Sequence, residues 1–332
     1  MEKRICDVTN KEPQDKPEVL LLQPLSIYFE PILSQKYDLL KPWESPLPLN
    51  VFLPNHAQFV QAIISSGPNC LPIENSLLHL LPNLGIITAM TVGIDHIDLE
   101  ACREKGVAVT NAGSTYSPDA ADFAVGLLVD VLRQISMGDR FVRKGLWPVN
   151  GDGLLGAQVS GKRVGIVGLG SIGSHVAKRL TAFGCPISYF SRAPKPNYPS
   201  YKYFPNVLDL AHESDVLILS CALTAETQNI INRDVMIALG KDGIIINVGR
   251  GALIDEPELV RCLKEGVIGG AGLDVFVNEP EVPEELTYME NVVLSDHRAV
   301  TTPESFKGVL ELAIANLDAF FSGKPLLSPV SC

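Results

Sequence analysis

Residues 168–173 are the segment that most constrains how this chain of 332 residues can fold. They read Gly-Leu-Gly-Ser-Ile-Gly, the pattern G-x-G-x-x-G, between a strand-like run at 163–167 and a stretch of helical spacing at 174–183. In such a unit the first glycine allows the tight turn, the second lets the main chain approach a pyrophosphate, and the third lets the helix pack on the strand. N–H groups at the start of the helix then favour an anion. The segment predicts a dinucleotide-binding turn made by Gly168, Leu169, Gly170, Ser171, Ile172 and Gly173.

Short apolar runs alternate with helical spacing along the rest of the chain. Helices are predicted near 28–40, over 119–143 and over 303–321. Further runs of strand length lie at 19–22, 62–64, 84–89, 107–110, 187–190, 216–220, 244–248, 270–274 and 292–294. This alternation is typical of parallel sheets covered by helices, and the length suggests two domains of roughly 150 residues each. We therefore expect an α/β protein with two doubly wound parallel sheets of different size.

The overall charge and hydrophobicity exclude several broad classes. Hydrophobic residues make up 46% of the chain, which is enough for a sizeable core and argues against a disordered protein. The net charge is −11, whereas a protein that binds nucleic acid or acidic membranes needs a basic face. We expect neither partner. The acidity does not exclude one small anion in a locally basic pocket.

The cysteines and the apolar stretches indicate where the protein is found. The cysteines are odd in number, widely spaced and contain no C-x-x-C pair, which predicts free thiols in a reducing compartment rather than disulfides or zinc. No apolar stretch reaches the roughly 18 residues of a membrane span, and the polar N-terminal segment has no signal-peptide core. We expect a cytoplasmic protein. The cysteines are Cys6, Cys70, Cys102, Cys185, Cys221, Cys262 and Cys332.

The strand after the glycine-rich turn ends in a segment that favours a particular dinucleotide. An NAD site usually has Asp or Glu about 20 residues after the glycines, where it binds the ribose hydroxyls. Here no acidic residue occurs between Gly173 and Asp209, and the strand ends at Ser191, Arg192 and, shortly after, Lys195. Arginine can pair with a 2′-phosphate. The sequence therefore predicts NADP(H) in preference to NAD(H), the alternative being that the arginine is only a surface charge.

Three charged residues follow three predicted strands in the second half of the chain. They are Arg250, Glu279 and His297, after the strands at 244–248, 270–274 and 292–294. Open α/β sheets bind their ligands at the carboxyl ends of their strands. An Arg, a Glu and a His at that edge form a candidate catalytic set. No Cys/His cluster with metal-ligand spacing occurs, so no metal is expected.

With these segments, the chain resembles the D-isomer-specific 2-hydroxyacid dehydrogenase family from about Val19 to Phe321. Within that family it is most similar to the plant glyoxylate/hydroxypyruvate reductases and hydroxyphenylpyruvate reductases, mainly through 122–133 and 183–192. The other matching segments are 91–98, 168–173, 223–227, 247–251 and 272–280.

The resemblance implies a domain organisation and an assembly. It implies two Rossmann-like domains with an active-site cleft between them. The substrate domain would comprise 1–118 and 302–332, and the inserted NAD(P)-binding domain would comprise 119–301. It also implies a homodimer formed through the helix at 119–143, with Trp147 either contacting the partner's site or packing locally.

The resemblance also assigns catalytic roles that the chemistry of the residues supports. Arg250 would bind the carboxylate and polarise the ketone of a 2-oxo acid. His297 would donate a proton to the ketone oxygen as hydride reaches C2, and Glu279 would favour the protonated imidazole. The backbone amides of Val92 and Gly93 would bind the substrate carboxylate.

More residues are expected to line the cofactor site by analogy with the family. They are Ser191, Arg192, Ala193, Cys221, Thr227, Val248, Asp274, His297, Arg298 and Ala299. One segment departs from the family pattern, which usually has Pro before the histidine and small residues after it. Here Asp296 and Arg298 flank the histidine, and they could act on it, pair with each other or point to solvent.

The expected function is NADPH-dependent reduction of glyoxylate, hydroxypyruvate or also 4-hydroxyphenylpyruvate. Two alternatives stay open. One is a nucleotide-sensing corepressor on the same fold, although the chain lacks the long extensions expected of one. The other is an NAD-dependent D-2-hydroxyacid dehydrogenase of other specificity.

Overall fold

The computed structural model describes residues 16–66, 71–153 and 155–330. These residues fall into two compact units, whose boundaries lie between Asn111 and Ala112 and between Val309 and Leu310. Each unit is built round its own parallel sheet, which confirms the predicted α/β class. The domain limits at 118/119 and 301/302, which came from the family resemblance, stay a prediction.

The first unit contains a five-stranded sheet in the order β2-β1-β3-β4-β5, with every pair parallel. The central strands β3 and β4 are buried along their whole length, as expected for a parallel sheet covered on both faces. The strands are β1 (Glu18–Leu21), β2 (Asp38–Leu40), β3 (Ala62–Ser65), β4 (Ile86–Ala89) and β5 (Ala108–Thr110).

The helices of the first unit are short, except at its C-terminal end. They are α1 (Glu30–Leu33), α2 (Leu49–His56), α3 (Asn75–Leu78) and α4 (Leu99–Glu104), with a 3-10 turn at Pro42–Glu44. Asp98 caps α4 by accepting a hydrogen bond from the Ala101 amide at 2.9 Å. The last helix, α13 (Pro303–Phe321), begins before the boundary between the units and has the bounds that its periodicity predicts.

The second unit contains a seven-stranded parallel sheet in the order β12-β11-β10-β9-β6-β7-β8. Its chain starts at the interior strand β6, moves outward to β8 and then returns beside β6 with the central strand β9. Such a reversal leaves a crevice at the carboxyl ends of β6 and β9, which is where doubly wound sheets bind ligands. The strands are β6 (Val164–Val167), β7 (Ile187–Phe190), β8 (Lys202–Phe204), β9 (Val216–Leu219), β10 (Ile244–Asn247), β11 (Gly270–Leu273) and β12 (Val292–Leu294).

Helices pack on both faces of this sheet and form two separate clusters of buried side chains. Gly272 of β11 allows the helix that carries Leu127 to lie close to the sheet, because a Cβ at this glycine would be 3.1 Å from the Cβ of Leu127. The helices are α5 (Ser117–Arg133), α6 (Ile135–Arg143), α7 (Trp147–Asn150), α8 (Ser171–Ala182), α9 (Val207–His212), α10 (Arg233–Leu239), α11 (Glu256–Lys264) and α12 (Glu284–Thr287), with a 3-10 turn at Gly251–Leu253.

The predicted single helix over 119–143 is wrong, because it is divided into α5 and α6 at Gln134. This residue has a left-handed backbone with φ 56°. The Leu132 carbonyl accepts a hydrogen bond from the Ala157 amide at 2.7 Å, and Asp130 accepts one from the Ser136 amide at 2.7 Å. The returning chain therefore caps α5 where periodicity alone would continue the helix.

The helix predicted near 28–40 is also wrong. The structure has only the single turn α1 there, followed by β2 at the edge of the first sheet. The edge strand β8 had no counterpart among the predicted strands. The edge strands β2 and β8 have three residues each, which is too short to show the alternation of side chains that is typical of a strand. Each of them forms because it pairs with a neighbouring strand.

Candidate active site

The glycine-rich turn has the geometry that a dinucleotide requires. Gly168 has φ +100°, and a Cβ on it would lie 2.7 Å from the backbone of Cys221, which follows β9. A Cβ on Gly173 would lie 2.2 Å from the Gly168 carbonyl oxygen. Around Gly170, by contrast, a Cβ would meet no atom within 4 Å. The turn therefore packs tightly at its first and third glycines and leaves open space at the second, where a pyrophosphate would approach the start of α8.

Arg250 follows β10 on a loop that a buried asparagine holds in place. The Asn247 side chain is fully buried, and it donates to the Arg250 carbonyl at 2.9 Å while accepting from the Gly249 amide at 3.0 Å. The Arg250 guanidinium also donates to the Gly249 carbonyl at 2.9 Å. The position of the arginine is thus set by a network at the end of the strand.

Glu279 and His297 contact each other through their polar side-chain atoms. Glu279 Oε2 lies 2.6 Å from His297 Nδ1, and Glu279 Oε1 accepts from the Phe276 amide at 3.0 Å. The two side chains are 17% and 25% exposed. The contact fixes the orientation of the imidazole ring.

The surroundings of Glu279 keep it ionised. Burial alone would raise the pKa of Glu279, but hydrogen bonds from His297 and from the Phe276 amide, with the positive charges of His297 and Arg250, outweigh burial and hold this pKa below its ordinary value of 4.5. Because Arg250 contributes to the shift, its positive charge lies near the Glu279–His297 pair. The structure brings all three predicted catalytic residues to one edge of one sheet.

The segment that carries His297 is anchored on Asp274. Asp274 follows β11, is 1% exposed, and accepts hydrogen bonds from the backbone amides of Arg298 and Ala299 at 2.9 and 3.0 Å. The two residues that depart from the family pattern pair with each other, since Arg298 Nε lies 2.6 Å from Asp296 Oδ1 and their side chains are 57% and 75% exposed. An exposed pair of this kind contributes about 0–1 kcal/mol to stability.

The loop after β7 carries the residues expected at the ribose. Ser191 is 9% exposed and donates to the Ala193 carbonyl at 2.6 Å, and Arg192 is exposed. The pKa of Glu226 is lowered by the Thr224 hydroxyl and the backbone, and further by the charge of Arg192. The turn at 223–227 therefore lies near the end of β7.

The remaining cofactor candidates lie close to the glycine-rich turn or on adjacent loops. Cys221 is mostly buried, and burial raises the pKa of its thiol to about 11. Val248 is 8% exposed at the end of β10. The Thr227 hydroxyl accepts from the Thr224 amide and donates to the Ala222 carbonyl, both at 2.7 Å. Cys221 and Val248 can offer apolar surface to a ligand, whereas Thr227 shapes its own turn.

Val92 and Gly93 belong to the first unit, where they follow β4. Their loop is fixed by the Asn111 side chain, which donates to the Val92 carbonyl at 2.9 Å, and by Thr91, which donates to the Gly93 carbonyl at 2.7 Å. Their role as ligands of a substrate carboxylate stays a prediction.

Three residues to which the sequence assigned no role support the site. Asn247 fixes the arginine loop, the Ser295 hydroxyl donates to Asp274 at 2.6 Å, and Glu256 at the start of α11 accepts from the Val277 amide at 3.1 Å. Of these three residues, only Asn247 could have been noticed in the sequence, because it is a polar residue that ends a run of isoleucines. The other two act through contacts between distant segments, which spacing does not reveal.

The described residues, 16–66, 71–153 and 155–330, contain neither a metal-ligand cluster nor a membrane-spanning helix. No three His, Cys, Asp or Glu side chains in these ranges converge as metal ligands would. None of the helices in the described part of the chain is both long and apolar enough to cross a membrane.

Comparison with known proteins identifies the family. Residues 125–299 match the model of the D-isomer specific 2-hydroxyacid dehydrogenase, NAD binding domain. The chain is 56% identical to a glyoxylate/hydroxypyruvate reductase of Arabidopsis thaliana, over 96% of this chain and 98% of that protein. It is 49% identical to a hydroxyphenylpyruvate reductase of Plectranthus scutellarioides, over 94% and 98% of the two chains.

A solved structure agrees in fold. The NADPH-dependent glyoxylate/hydroxypyruvate reductase of Sinorhizobium meliloti, in complex with NADP and malonate, superposes with a TM-score of 0.87 at 33% identity, covering 95% of this chain and 97% of that one. The strand-end triad, the glycine-rich turn and these matches lead to one conclusion: the chain belongs to the D-isomer-specific 2-hydroxyacid dehydrogenase family and is an oxidoreductase acting on 2-hydroxy acids.

Proposed function

We propose that the protein is an NADPH-dependent reductase of small 2-oxo acids, with glyoxylate and hydroxypyruvate as substrates and 4-hydroxyphenylpyruvate as a further candidate. The observation that carries this proposal is the 2.6 Å contact between Glu279 and His297, with the charge of Arg250 beside it. A 2-oxo acid has a carboxylate next to a ketone, and this trio offers a cation for both groups and a proton donor for the ketone oxygen. The names of the most similar relatives support the same substrate class.

The catalytic roles follow from the chemistry of the three side chains. A bound reduced nicotinamide supplies the hydride. Arg250 binds the carboxylate through its planar guanidinium and polarises the ketone. Protonated His297 donates its proton to the ketone oxygen, so that the ketone becomes a hydroxyl group. Glu279 fixes the orientation of the imidazole through its contact with Nδ1, and in the oxidative direction neutral His297 accepts the proton.

The residues at the glycine-rich turn fit a dinucleotide. The open space at Gly170 and the tight packing at Gly168 and Gly173 suit a pyrophosphate at the start of α8. We assign the 2′-phosphate of NADP to Arg192, because no acidic residue ends β7 and this arginine is exposed there. The NADP in the related Sinorhizobium meliloti structure supports this preference.

The test of the function is a substrate panel. Purified protein is assayed for oxidation of NADPH and NADH with glyoxylate, hydroxypyruvate and 4-hydroxyphenylpyruvate. We expect turnover with at least one of these acids, faster with NADPH than with NADH. His297→Asn should lose about 100-fold or more in kcat while still binding NADPH, because general acid catalysis contributes that much. His212→Asn, which changes an exposed histidine of α9, is the matched control.

Two results would contradict the proposal. Nucleotide binding without turnover of any 2-oxo acid would favour a sensing protein on this fold. Full activity of His297→Asn would remove the proton donor from the mechanism.

We further propose a cytoplasmic homodimer. The four cysteines in the described ranges, Cys102, Cys185, Cys221 and Cys262, are free thiols, as a reducing compartment favours. All nine residues of α6 are at least partly exposed, including Ile135 and Val142 at 56% and 55%. Apolar side chains exposed on one helix suit an interface between two copies.

A further inference from the structure

Asp274 lies at the centre of a network that holds the segment 295–299. Its Oδ1 accepts hydrogen bonds from the Ser295 hydroxyl at 2.6 Å and from the Arg298 amide at 2.9 Å, while its Oδ2 accepts from the Ala299 amide at 3.0 Å. Its backbone carbonyl accepts from the His297 amide at 2.9 Å. One buried aspartate thus binds residues on both sides of the histidine as well as the histidine itself.

The backbone of His297 needs this support. Its φ is +51°, in the left-handed region that residues with a side chain rarely adopt. Such a conformation persists where the surrounding structure fixes it. The amides of Arg298 and Ala299, directly after the histidine, both point at the Asp274 carboxylate. A pair of amides that converge on one anion fixes the chain direction at this point.

We propose that Asp274 is a positioning residue, whose carboxylate holds the His297 backbone in the conformation that aims the imidazole at Glu279 and at the reacting ketone. The proposal rests on the proposed function, since it concerns the efficiency of the same proton transfer. It differs from the role that the family resemblance implies, in which Asp274 only lies beside the cofactor.

The accessibility of Asp274 supports this role. The residue is 1% exposed, and both carboxylate oxygens already accept hydrogen bonds from the segment 295–299. Three of the roughly four hydrogen bonds that a carboxylate can accept therefore come from this one segment. Loss of the carboxylate should therefore displace the backbone of His297 and change the affinity for the dinucleotide much less.

The main experiment is Asp274→Asn, which keeps the size of the side chain. In either orientation the asparagine NH₂ group faces an amide or hydroxyl donor, so one side of the network is lost and the segment shifts. We expect kcat for the best substrate of the panel to fall about 100-fold, since a displacement of about 1 Å in a catalytic group can have that effect. The dissociation constant of NADPH, measured by fluorescence, should change much less than kcat.

The matched control is Asp215→Asn. Asp215 likewise accepts from a backbone amide, that of Arg163 at 2.8 Å, but it precedes β9 at the opposite edge of the same sheet. We expect this variant to lose stability with kcat unchanged. A comparable loss of kcat in both variants would reduce the Asp274 effect to general destabilisation and would overturn the proposal.

A second pair of variants keeps the test decisive if Asp274→Asn does not fold. Ser295→Ala removes one of the three donors and should lower kcat several-fold at constant NADPH affinity, while Ser295→Thr retains the hydroxyl and should recover most of that loss. Wild-type kcat in Ser295→Ala, or weaker NADPH binding as the main effect of Asp274→Asn, would overturn the proposal. An inactive wild-type protein would instead contradict the proposed function.

Discussion

At the scale of single residues, the contact between Glu279 and His297 fixes the orientation of the imidazole. Glu279 is largely buried, yet hydrogen bonds and two nearby positive charges keep its pKa below 4.5. Its carboxylate lies 2.6 Å from His297 Nδ1, which leaves Nε2 as the ring nitrogen that could face a ligand.

Glu279→Gln should lower the stability of the protein in a pH-dependent way. The folded pKa of Glu279 is lowered, so its stabilisation is complete above pH 4.5 and is lost as the pH falls through the lower folded pKa. We expect the variant to be less stable by about 1–2 kcal/mol at pH 7, with the difference shrinking below pH 4.5. Urea unfolding at several pH values measures this. An equal difference at all pH values would contradict it.

Arg192→Ala should affect NADPH and leave NADH unchanged. Loss of a charged hydrogen bond to the 2′-phosphate should raise KM for NADPH about 10- to 100-fold. NADH has no such phosphate, so its KM should stay the same. Lys241→Ala removes an exposed cation just before β10, at the opposite edge of the sheet, and serves as the control. Equal effects on both cofactors would refute the assignment.

At the scale of elements, the site depends on how closely the strand-end loops pack. A Cβ on Gly251 would lie 2.0 Å from the carbonyl carbon of Phe276, so the loop after β10 lies directly on the loop after β11. Glu256 at the start of α11 binds the Val277 amide of the same loop. These contacts bring Arg250 and Glu279, which are far apart in sequence, to one place.

Alanine substitutions at Gly170 and Gly173 should have different effects, the first on cofactor binding and the second on the stability of the fold. At Gly170, with open space and a negative φ of −90°, alanine should fold normally but obstruct the pyrophosphate. Gly173→Ala should instead lose about 1–3 kcal/mol of stability, because its Cβ would collide with the Gly168 carbonyl. Thermal unfolding with and without NADPH tests both. A Gly170→Ala protein that NADPH stabilises as well as wild type would contradict a pyrophosphate at this position.

At the scale of the whole molecule, α6 and α7 expose a group of apolar side chains. Ile135 and Val142 are seven residues apart and so lie on one face of α6, and Trp147 and Val149 of α7 are 55% and 79% exposed. The Trp147 indole donates to Asp152 at 3.3 Å. The proposed homodimer rests on these four exposed apolar side chains within fifteen residues, 135–149.

The double variant Ile135→Glu with Val142→Glu should shift the protein from dimer to monomer. Burying two charges in an apolar interface carries a large desolvation cost, whereas an exposed charge on a monomer carries almost none. Analytical ultracentrifugation measures the change. Ile237→Glu on α10, 54% exposed in the same unit, is the control and should leave the mass unchanged. A wild-type protein that sediments as a monomer would refute the dimer.

Some parts of the fold could be predicted because their signals are local. The bounds of α13 follow from apolar spacing, and β6, β7 and β10 follow from apolar runs. The break at Gln134 could not be predicted, because it depends on Ala157 and Asp130 binding the ends of the two helices. Likewise β2 and β8 exist only through pairing with a neighbouring strand.

The candidate site shows the same division. The sequence alone determined the glycine-rich turn, the lack of an acid after β7 and the three strand ends that carry Arg250, Glu279 and His297, because each depends on a few neighbouring residues. The family resemblance implied that Glu279 acts on His297, but only the tertiary structure decided that the contact is through Nδ1 and that Asp274 accepts hydrogen bonds from the backbone of 297–299. These contacts join segments of β11 and β12, and the pairing of strands that brings them together is a property of the whole sheet.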